Sequence, residues 1–142
     1  CSISQALANA PLWVVVGELT PTAADCAKYF KWVRVGSRYD GSFPGTASTW
    51  IGSCDGLTGK ASSFTSAYKT FLRRFWEAQL ISYEKGGEGW IQWTWKTEIA
   101  DEWSYQAGLA NRWIPKNPLD LLYPDICGSG SPPHVQYNVN EW

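Results

Sequence analysis

Residues 12–18 read LWVVVGE and residues 89–95 read GWIQWTW, and these two stretches decide the fold. The first is a continuous, mostly β-branched apolar run, which is typical of a strand buried on both faces in a parallel sheet. The second alternates large rings with smaller residues and predicts another strand over residues 90–95. Between them, apolar side chains from Phe64 to Leu80 recur at the helical period. Strand, helix and strand in this order indicate a parallel α/β unit.

The predicted helices have recognisable limits. The long helix is expected to start at Ser62 or Ser63 and to stop at Gly86, because paired glycines end helices efficiently. A shorter helix is predicted over residues 23–33, where apolar side chains again recur at helical spacing. One more short helix is predicted over residues 101–109.

The other segments are predicted to be largely irregular. Residues 36–59 are rich in Gly, Ser, Pro and Thr, which predicts a long surface loop. Prolines after Trp113 predict extended chain, with an irregular tail over residues 129–142. Residues 2–9 are expected to be the end of a helix or a loop. Two strands alone leave open edges and uncovered faces, so the α/β pattern predicts a piece of a larger α/β barrel.

The composition excludes several classes of partner. The formal net charge of -1 gives no reason to expect binding to nucleic acid or to an anionic membrane. No apolar run approaches the roughly 20 residues that a membrane-spanning helix needs. Ten Trp, seven Tyr and five Phe are many rings for 142 residues. They indicate either a core of large rings or a surface that stacks against sugars.

The cysteines predict disulfides rather than a metal site. Four cysteines form an even set without a CxxC pair, which suits two disulfides in an oxidising, secreted setting and disfavours zinc. From the spacing alone, three pairings remain open. No cofactor or metal is expected. The chain starts at Cys1 and contains no Met, so we expect a processed mature chain or a fragment.

Eight short motifs occur in a consistent order. They are VVVGE at 14–18, DCAKY at 25–29, RYDG at 38–41, IGSC at 51–54, WEAQ at 76–79, GWIQWTWKTE at 89–98, EWSYQ at 102–106 and YPDICG at 123–128. Together they resemble the fungal exo-β-1,3-glucanases of glycoside hydrolase family 5. The Gly-Glu pair of the first motif alone would not be specific. The resemblance is specific because the eight motifs occur in order over about residues 1–128.

The resemblance implies a fold and a mechanism. Residues 1–128 would be the C-terminal portion of a (β/α)8 barrel, with strands seven and eight and their helices and loops. Active sites of such barrels lie at the C-terminal ends of the strands, where Glu18 follows the first apolar run. Retaining glycosidases use one carboxylate as nucleophile and another as general acid/base. Glu18 matches the nucleophile, and Trp93 matches the indole beneath the reacting sugar.

Further site residues follow from the same resemblance. Trp95, Arg38 and Tyr39 join Trp93 as candidates for substrate binding. Trp93 and Trp95 are expected to share one face of the second strand, because residues two apart do so. One of them would line the sugar site while the other fills the barrel, and Trp90 is expected in the core. The implied disulfides are Cys26–Cys54 and Cys1–Cys127.

The chain departs from the family pattern in three ways. Leu19 follows Glu18 where the family usually has Trp, a loss expected to weaken sugar stacking. The Asn-Glu-Pro tripeptide that carries the family's acid/base does not occur in these residues. The family's His-x-Tyr motif is also missing, because His134 and Tyr137 stand three apart in the tail.

Other carboxylates are candidates to replace the missing acid/base. Glu98 and Glu102 follow the second strand and could approach the site as a stand-in acid. Glu77 and Glu84 belong to the predicted long helix, where a solvated or ion-paired role is expected. The same helix is expected to present a solvated basic face formed by Lys69, Arg73 and Arg74.

Two hypotheses of function follow. In the first, the chain is a secreted, non-catalytic protein that binds β-1,3-glucan or acts as an interaction or immunomodulatory protein. In the second, it is a fragment or subunit of a retaining exo-β-1,3-glucanase that another chain completes. Either way, a homodimer, swapped elements or a complementing chain is expected to cover the exposed barrel surfaces.

Overall fold

The computed structural model describes residues 1–33, 35–45 and 49–128. The predicted tail over residues 129–142, with His134 and Tyr137, lies outside this part of the chain. The described part contains three α-helices, two strands and two single 3-10 turns. In order, these are α1 (Ile3–Ala8), β1 (Val15–Leu19), the turn Ala61–Ser63, α2 (Ser66–Gly86), β2 (Gly89–Gln92), the turn Asp101–Trp103 and α3 (Tyr105–Asn111).

The two strands form a parallel pair, as the sequence predicts. Val16 lies opposite Trp90, and Leu19 lies opposite Gln92. The step from Val16 to Leu19 is one residue longer than the step from Trp90 to Gln92, so β1 carries a bulge at residues 17–18. Helix α2 connects the strands, which makes a βαβ unit.

Burial of β1 on both faces was a wrong expectation. The strand runs from Val15 to Leu19 rather than from Leu12, and Glu18 lies within it. Val15 is 56% exposed, and Ile91 on β2 is 57% exposed. The physical reason is that the core lies on the α2 side of the sheet, whereas the opposite face keeps large apolar side chains in contact with solvent.

Helix α2 provides most of the core. Its N-terminus is capped by Thr65, whose side chain accepts a hydrogen bond from the Tyr68 amide at 3.1 Å. The predicted start at Ser62 or Ser63 falls in the 3-10 turn instead, and the predicted stop at Gly86 is confirmed. The buried cluster draws together side chains from β1, the 61–64 segment, α2 and the chain after α3, namely Leu19, Ala61, Phe64, Tyr68, Leu72, Trp76, Leu80, Trp113 and Ile114.

Gly86 allows α1 to pack against the end of α2. A Cβ at this position would lie 2.0 Å from the Ser4 carbonyl oxygen, so any other residue would push the two helices apart. The Cys1–Cys127 disulfide, with Cα atoms 5.4 Å apart, joins the start of α1 to the segment that follows α3. The other disulfide is Cys26–Cys54, so both pairings implied by the resemblance are confirmed.

The helix predicted over residues 23–33 does not form. Tyr29 has a φ of 65°, which a right-handed helix does not allow, and the segment consists of turns and bends. Asp25 instead binds residues 37–39 of the long loop, and the disulfide fixes Cys26 to Cys54. These non-local bonds outweigh a short segment's weak preference for helix. The segment 101–109 is helical, but it divides into a 3-10 turn and α3, with Ser104 capping α3.

The solvated basic face predicted for α2 is wrong at Arg73. This side chain is only 7% exposed and forms an ion pair with Glu77, which is fully buried. Glu77 also accepts hydrogen bonds from the amides of Leu122 and Tyr123 at 2.9 and 2.6 Å. The pair is buried because the chain after α3 folds back over α2 and supplies these partners, which no local pattern in α2 reveals.

Candidate functional site

The β1 bulge decides which side chains face the same way. Directly paired residues of parallel strands point to one side, so Val16, Leu19, Trp90 and Gln92 share the α2 face. Trp76 of α2 donates a hydrogen bond from Nε1 to Gln92 Oε1 at 3.0 Å, which confirms this direction. Residues that alternate with these point to the other side. We call that side the open face and define it by Val15, Glu18, Ile91 and Trp93.

Glu18 and Trp93 are neighbours across the strand pair. The Trp93 amide donates to the carbonyl oxygen of Leu19, the residue after Glu18, at 2.9 Å. Both therefore lie at the C-terminal end of the parallel strands. Glu18 is exposed, and within the described ranges its carboxylate has no hydrogen bond or ion pair. The Trp93 ring is 50% exposed, so a carboxylate and an indole are both accessible at one end of the open face.

Trp95 does not share a strand face with Trp93. Strand β2 ends at Gln92, the Trp93–Thr94 peptide bond is cis, and the chain then turns toward α3. The Trp95 ring lies against Tyr105, with centroids 5.7 Å apart and planes tilted by 31°, and remains 61% exposed. The expectation of a shared face is wrong because the pairing with β1 continues only as far as the Trp93 amide, whereas Thr94 and Trp95 bond to residues 103–106. Trp90 packs edge-on against Trp76, as the core role predicts.

Arg38 and Tyr39 lie in the long loop, where Asp25 organises the backbone. The Asp25 carboxylate accepts hydrogen bonds from the Arg38 and Tyr39 amides at 3.0 Å each, and Lys31 Nζ lies 2.9 Å from it. Partial burial alone would raise the pKa of Asp25, but hydrogen bonds from Ser37, Lys31 and the two amides hold it well below its ordinary value. Among the described residues, no hydrogen bond or ring contact joins Arg38 or Tyr39 to Glu18 or Trp93.

The loop also borders a cavity. This space of about 600 Å³ is lined by both charged and apolar groups, including Asp25, Lys28, Lys31, Ser37 and Asp40. The exposed Arg38 side chain lies over the Phe43 ring, with its guanidinium carbon 4.4 Å from the ring centroid. Sequence reasoning missed the organising role of Asp25, because its partners lie 12 to 14 residues further along the chain.

Leu19 lies on the core side of the sheet. It is fully buried with Leu72, Trp76 and the rest of the cluster, whereas Glu18 points to the open face. The Leu19 side chain therefore does not line the open face, and the weaker sugar stacking expected from the sequence stays a prediction.

Neither proposed stand-in acid contacts Glu18 in the part of the chain that the structure describes. Glu98 is exposed, and its carbonyl oxygen accepts a hydrogen bond from Lys60 Nζ. Glu102 is 1% exposed and accepts from the Gly59 amide at 3.3 Å. Burial raises the pKa of Glu102. Glu84 is also occupied, since it accepts a hydrogen bond from Trp90 Nε1 at 2.7 Å.

The described ranges contain neither a cluster of metal ligands nor a membrane-spanning helix. They contain no group of three or more His, Cys, Asp or Glu residues that could hold a metal ion. No helix in them is both long and apolar enough to cross a lipid bilayer.

Curated fungal proteins resemble this chain over most of its length. A protein of Aspergillus niger named probable glucan 1,3-β-glucosidase A is 46% identical over 115 residues, which are 80% of this chain and 27% of the relative. The chain is a homologue of the fungal glucan 1,3-β-glucosidases. The glucan 1,3-β-glucosidase of Blumeria graminis is 40% identical over 131 residues, or 91% of this chain and 30% of the relative.

A third relative agrees with these two. Glucan 1,3-β-glucosidase I/II of Saccharomyces cerevisiae is 37% identical over 131 residues, which cover 91% of this chain and 29% of the relative. No protein-family model matches the chain. The chain thus spans less than a third of the length of each of these glucosidases.

Proposed function

We propose that this chain supplies the nucleophile-bearing strand pair of a site that hydrolyses β-1,3-glucan. We further propose that residues 1–142 alone bind the glucan without cleaving it. One observation carries the proposal: adjacent parallel strands place Glu18 and Trp93 at the same end and on the same uncovered face. The named activity of the homologues supports β-1,3-glucan as the sugar.

The unit β1–α2–β2 would be strands seven and eight of a (β/α)8 barrel with their connecting helix. Two features support this assignment. The strands are parallel and joined by a helix, and the open face keeps Val15 and Ile91 more than half exposed. In a closed barrel, the face away from the helices is the interior, and side chains from other strands cover it. The C-terminal strand ends, where Glu18 lies, would then form the catalytic side.

The chemistry assigns different roles to the two side chains. Glu18 would attack the anomeric carbon as the glycosidic C–O bond breaks, the acid/base would protonate the leaving oxygen, and water would then hydrolyse the covalent glycosyl-enzyme. The exposed Trp93 ring would lie beneath the sugar. Retention also needs a second carboxyl about 5–5.5 Å from the first. Glu77, Glu84 and Glu102 are engaged elsewhere in the fold. The acid/base would therefore come from strands outside residues 1–142, which explains why these residues alone should not cleave glucan.

The setting of this function would be extracellular. Two disulfides support folding in an oxidising compartment, as in secreted proteins. The uncovered sheet supports association with a complementing chain or with a second copy of this one. The apparent mass of the purified chain in solution would distinguish a lone chain from a dimer.

Binding of laminarin, a β-1,3-glucan, tests the role of Trp93. The purified chain should bind it and release no glucose, and Trp93→Ala should weaken binding about two- to tenfold, because stacking of large rings contributes about 0.5–1.5 kcal/mol beyond buried area. Titration calorimetry measures the affinity. Trp13→Ala is the matched control, since this ring is 90% exposed and precedes the opposite end of β1. Equal affinity of the two variants would refute the sugar position that we propose.

A further inference from the structure

Gln92, the last residue of β2, joins the core to the residue that carries the proposed sugar-stacking ring. Its Oε1 accepts a hydrogen bond from Trp76 Nε1 at 3.0 Å, and its Nε2 donates one to the Trp93 carbonyl oxygen at 3.0 Å. The side chain is half-buried, and both ends of its amide group are engaged. One side chain therefore forms a bridge from a core indole to the backbone of Trp93.

The two partners fix the orientation of the Gln92 amide. An indole Nε1 can only donate a hydrogen bond, so the atom that faces Trp76 must be an acceptor. A backbone carbonyl oxygen can only accept, so the atom that faces the Trp93 carbonyl must be a donor. Glutamine provides both in one group, whereas an ionised glutamate lacks the donor and an apolar side chain lacks both. The bridge therefore depends on the amide chemistry of residue 92.

Trp76 is a rigid anchor for the bridge. Its side chain is fully buried in α2, and its ring packs edge-on against Trp90, with centroids 5.9 Å apart. Close packing of this kind leaves a core side chain little freedom to move. One end of the Gln92 amide is thus held by a group whose position is fixed.

The Trp93 ring has few restraints of its own. It is 50% exposed, and no contact with another ring holds it within residues 1–33, 35–45 and 49–128. Its backbone is bonded on both sides, because the amide donates to the Leu19 carbonyl at 2.9 Å and the carbonyl accepts from Gln92. The direction of the ring therefore depends on these two backbone bonds.

Helix α2 holds the end of β1 through a second glutamine. Gln79 Nε2 donates to the carbonyl of Thr20, two residues after Glu18, at 2.7 Å. The helix thus bonds to the C-terminal ends of both strands, through Gln79 at β1 and through Gln92 at β2. Because these ends carry the proposed nucleophile and the proposed sugar-stacking ring, their relative placement depends on one helix.

We propose that Gln92 is a positioning residue that holds the Trp93 ring in the direction needed to stack beneath a sugar. Gln92 acts only through Trp93. The importance of this direction for sugar binding rests on the proposed function, whereas the bridge from Trp76 to Trp93 does not. Misplacing the ring should weaken binding by no more than removing it, so about two- to tenfold is the upper limit.

Gln92→Glu tests the bridge, because its hydrogen-bond donor depends on pH. The ionised carboxylate keeps an acceptor for Trp76 but repels the Trp93 carbonyl oxygen, whereas the protonated carboxyl can accept from the first and donate to the second. An ordinary Glu has a pKa of about 4.3, so the bridge should be broken at neutral pH and should form again in acid.

Nuclear magnetic resonance without sugar measures the bridge directly. In the wild type, the Trp76 indole proton should show a nuclear Overhauser effect to the side-chain amide protons of Gln92. In Gln92→Glu, the shift of the Trp93 carbonyl carbon should depart from the wild-type value at neutral pH and return to it below about pH 4. Gln106→Glu, which places the same charge on an exposed side chain of α3, should keep the wild-type shift throughout. A wild type without that Overhauser effect, or a Trp93 shift unchanged in Gln92→Glu, overturns the proposal.

Laminarin affinity, measured by titration calorimetry, tests the positioning role separately. At neutral pH, Gln92→Glu should bind about two- to tenfold more weakly than the wild type, and the two affinities should converge below about pH 4. In a Trp93→Ala background, Gln92→Glu should cause no further loss, because a residue that acts only through a ring has no effect once the ring is gone. A further loss in that background would refute positioning through Trp93.

The outcomes separate this proposal from the proposed function. A bridge that breaks at neutral pH while laminarin affinity stays unchanged would refute the positioning role. Absence of laminarin binding by the wild type would refute the proposed function and with it the role of Gln92 in sugar binding. The Trp93 carbonyl shift would still decide whether Gln92 forms the bridge.

Discussion

Glu18→Gln is expected to lower glucose release from laminarin at least about a thousand-fold in a chimera completed by strands of a relative. In this chimera, the chain replaces the segment of the Aspergillus niger protein to which it is 46% identical. The amide keeps the shape of the carboxyl but cannot act as the nucleophile that forms the glycosyl-enzyme. Because Glu18 is exposed and has no partner in the described part of the chain, the substitution should leave the fold intact.

The control for this experiment is Glu88→Gln. Glu88 is also exposed, but it directly precedes β2 and so lies at the opposite end of the strand pair. Its chimera should release glucose at the unsubstituted rate. A Glu18→Gln chimera that is folded and equally active would show that another carboxylate performs the attack.

Glu77→Ala is expected to have the largest effect on stability, a loss of about 3–5 kcal/mol. The substitution leaves Arg73 charged and buried without its partner, and it removes the acceptor for the Leu122 and Tyr123 amides. Urea unfolding at neutral pH would show the loss as a lower midpoint. The exposed neighbour Arg74, whose guanidinium lies 5.3 Å from the centroid of the Tyr123 ring, provides the control, and Arg74→Ala should cost less than about 1 kcal/mol.

A double substitution separates the effect of the unpaired Arg73 charge from the effect of the hydrogen bonds lost with Glu77. Arg73→Met together with Glu77→Leu removes both charges and keeps apolar volume, so it should recover much of the stability lost in Glu77→Ala. If the double variant is as unstable as Glu77→Ala, the buried charge is not the cause. The loss would then come from the unbonded amides of the segment that follows α3.

Local patterns in the sequence predict the order of the elements well. The apolar run before Glu18, the helical period from Phe64 to Leu80 and the ring-rich stretch after Gly89 give the parallel βαβ unit. They fail where distant residues decide the structure. Residues 23–33 have helical spacing, yet Asp25 and Cys26 bind residues further along the chain and keep that segment irregular.

The sequence predicts those site residues that lie within motifs resembling the family. Glu18 and Trp93 follow from the resemblance, and the strand pairing brings them together. The direction of Leu19 was not predictable, because the β1 bulge shifts the alternation of side chains by one residue. Trp95 was misplaced for a similar reason, since no pattern within GWIQWTW shows that the strand stops at Gln92. The burial of Glu102 depends on contacts with Gly59, which lies 43 residues earlier.

Chemical trapping in the chimera tests the central claim most directly. An activated fluoroglucoside that forms the glycosyl-enzyme quickly but hydrolyses slowly should leave one sugar on a single carboxylate. Peptide mass spectrometry should find that sugar on Glu18. A sugar on any other residue, or hydrolysis without a trapped sugar, would contradict the role of this strand pair as the source of the nucleophile.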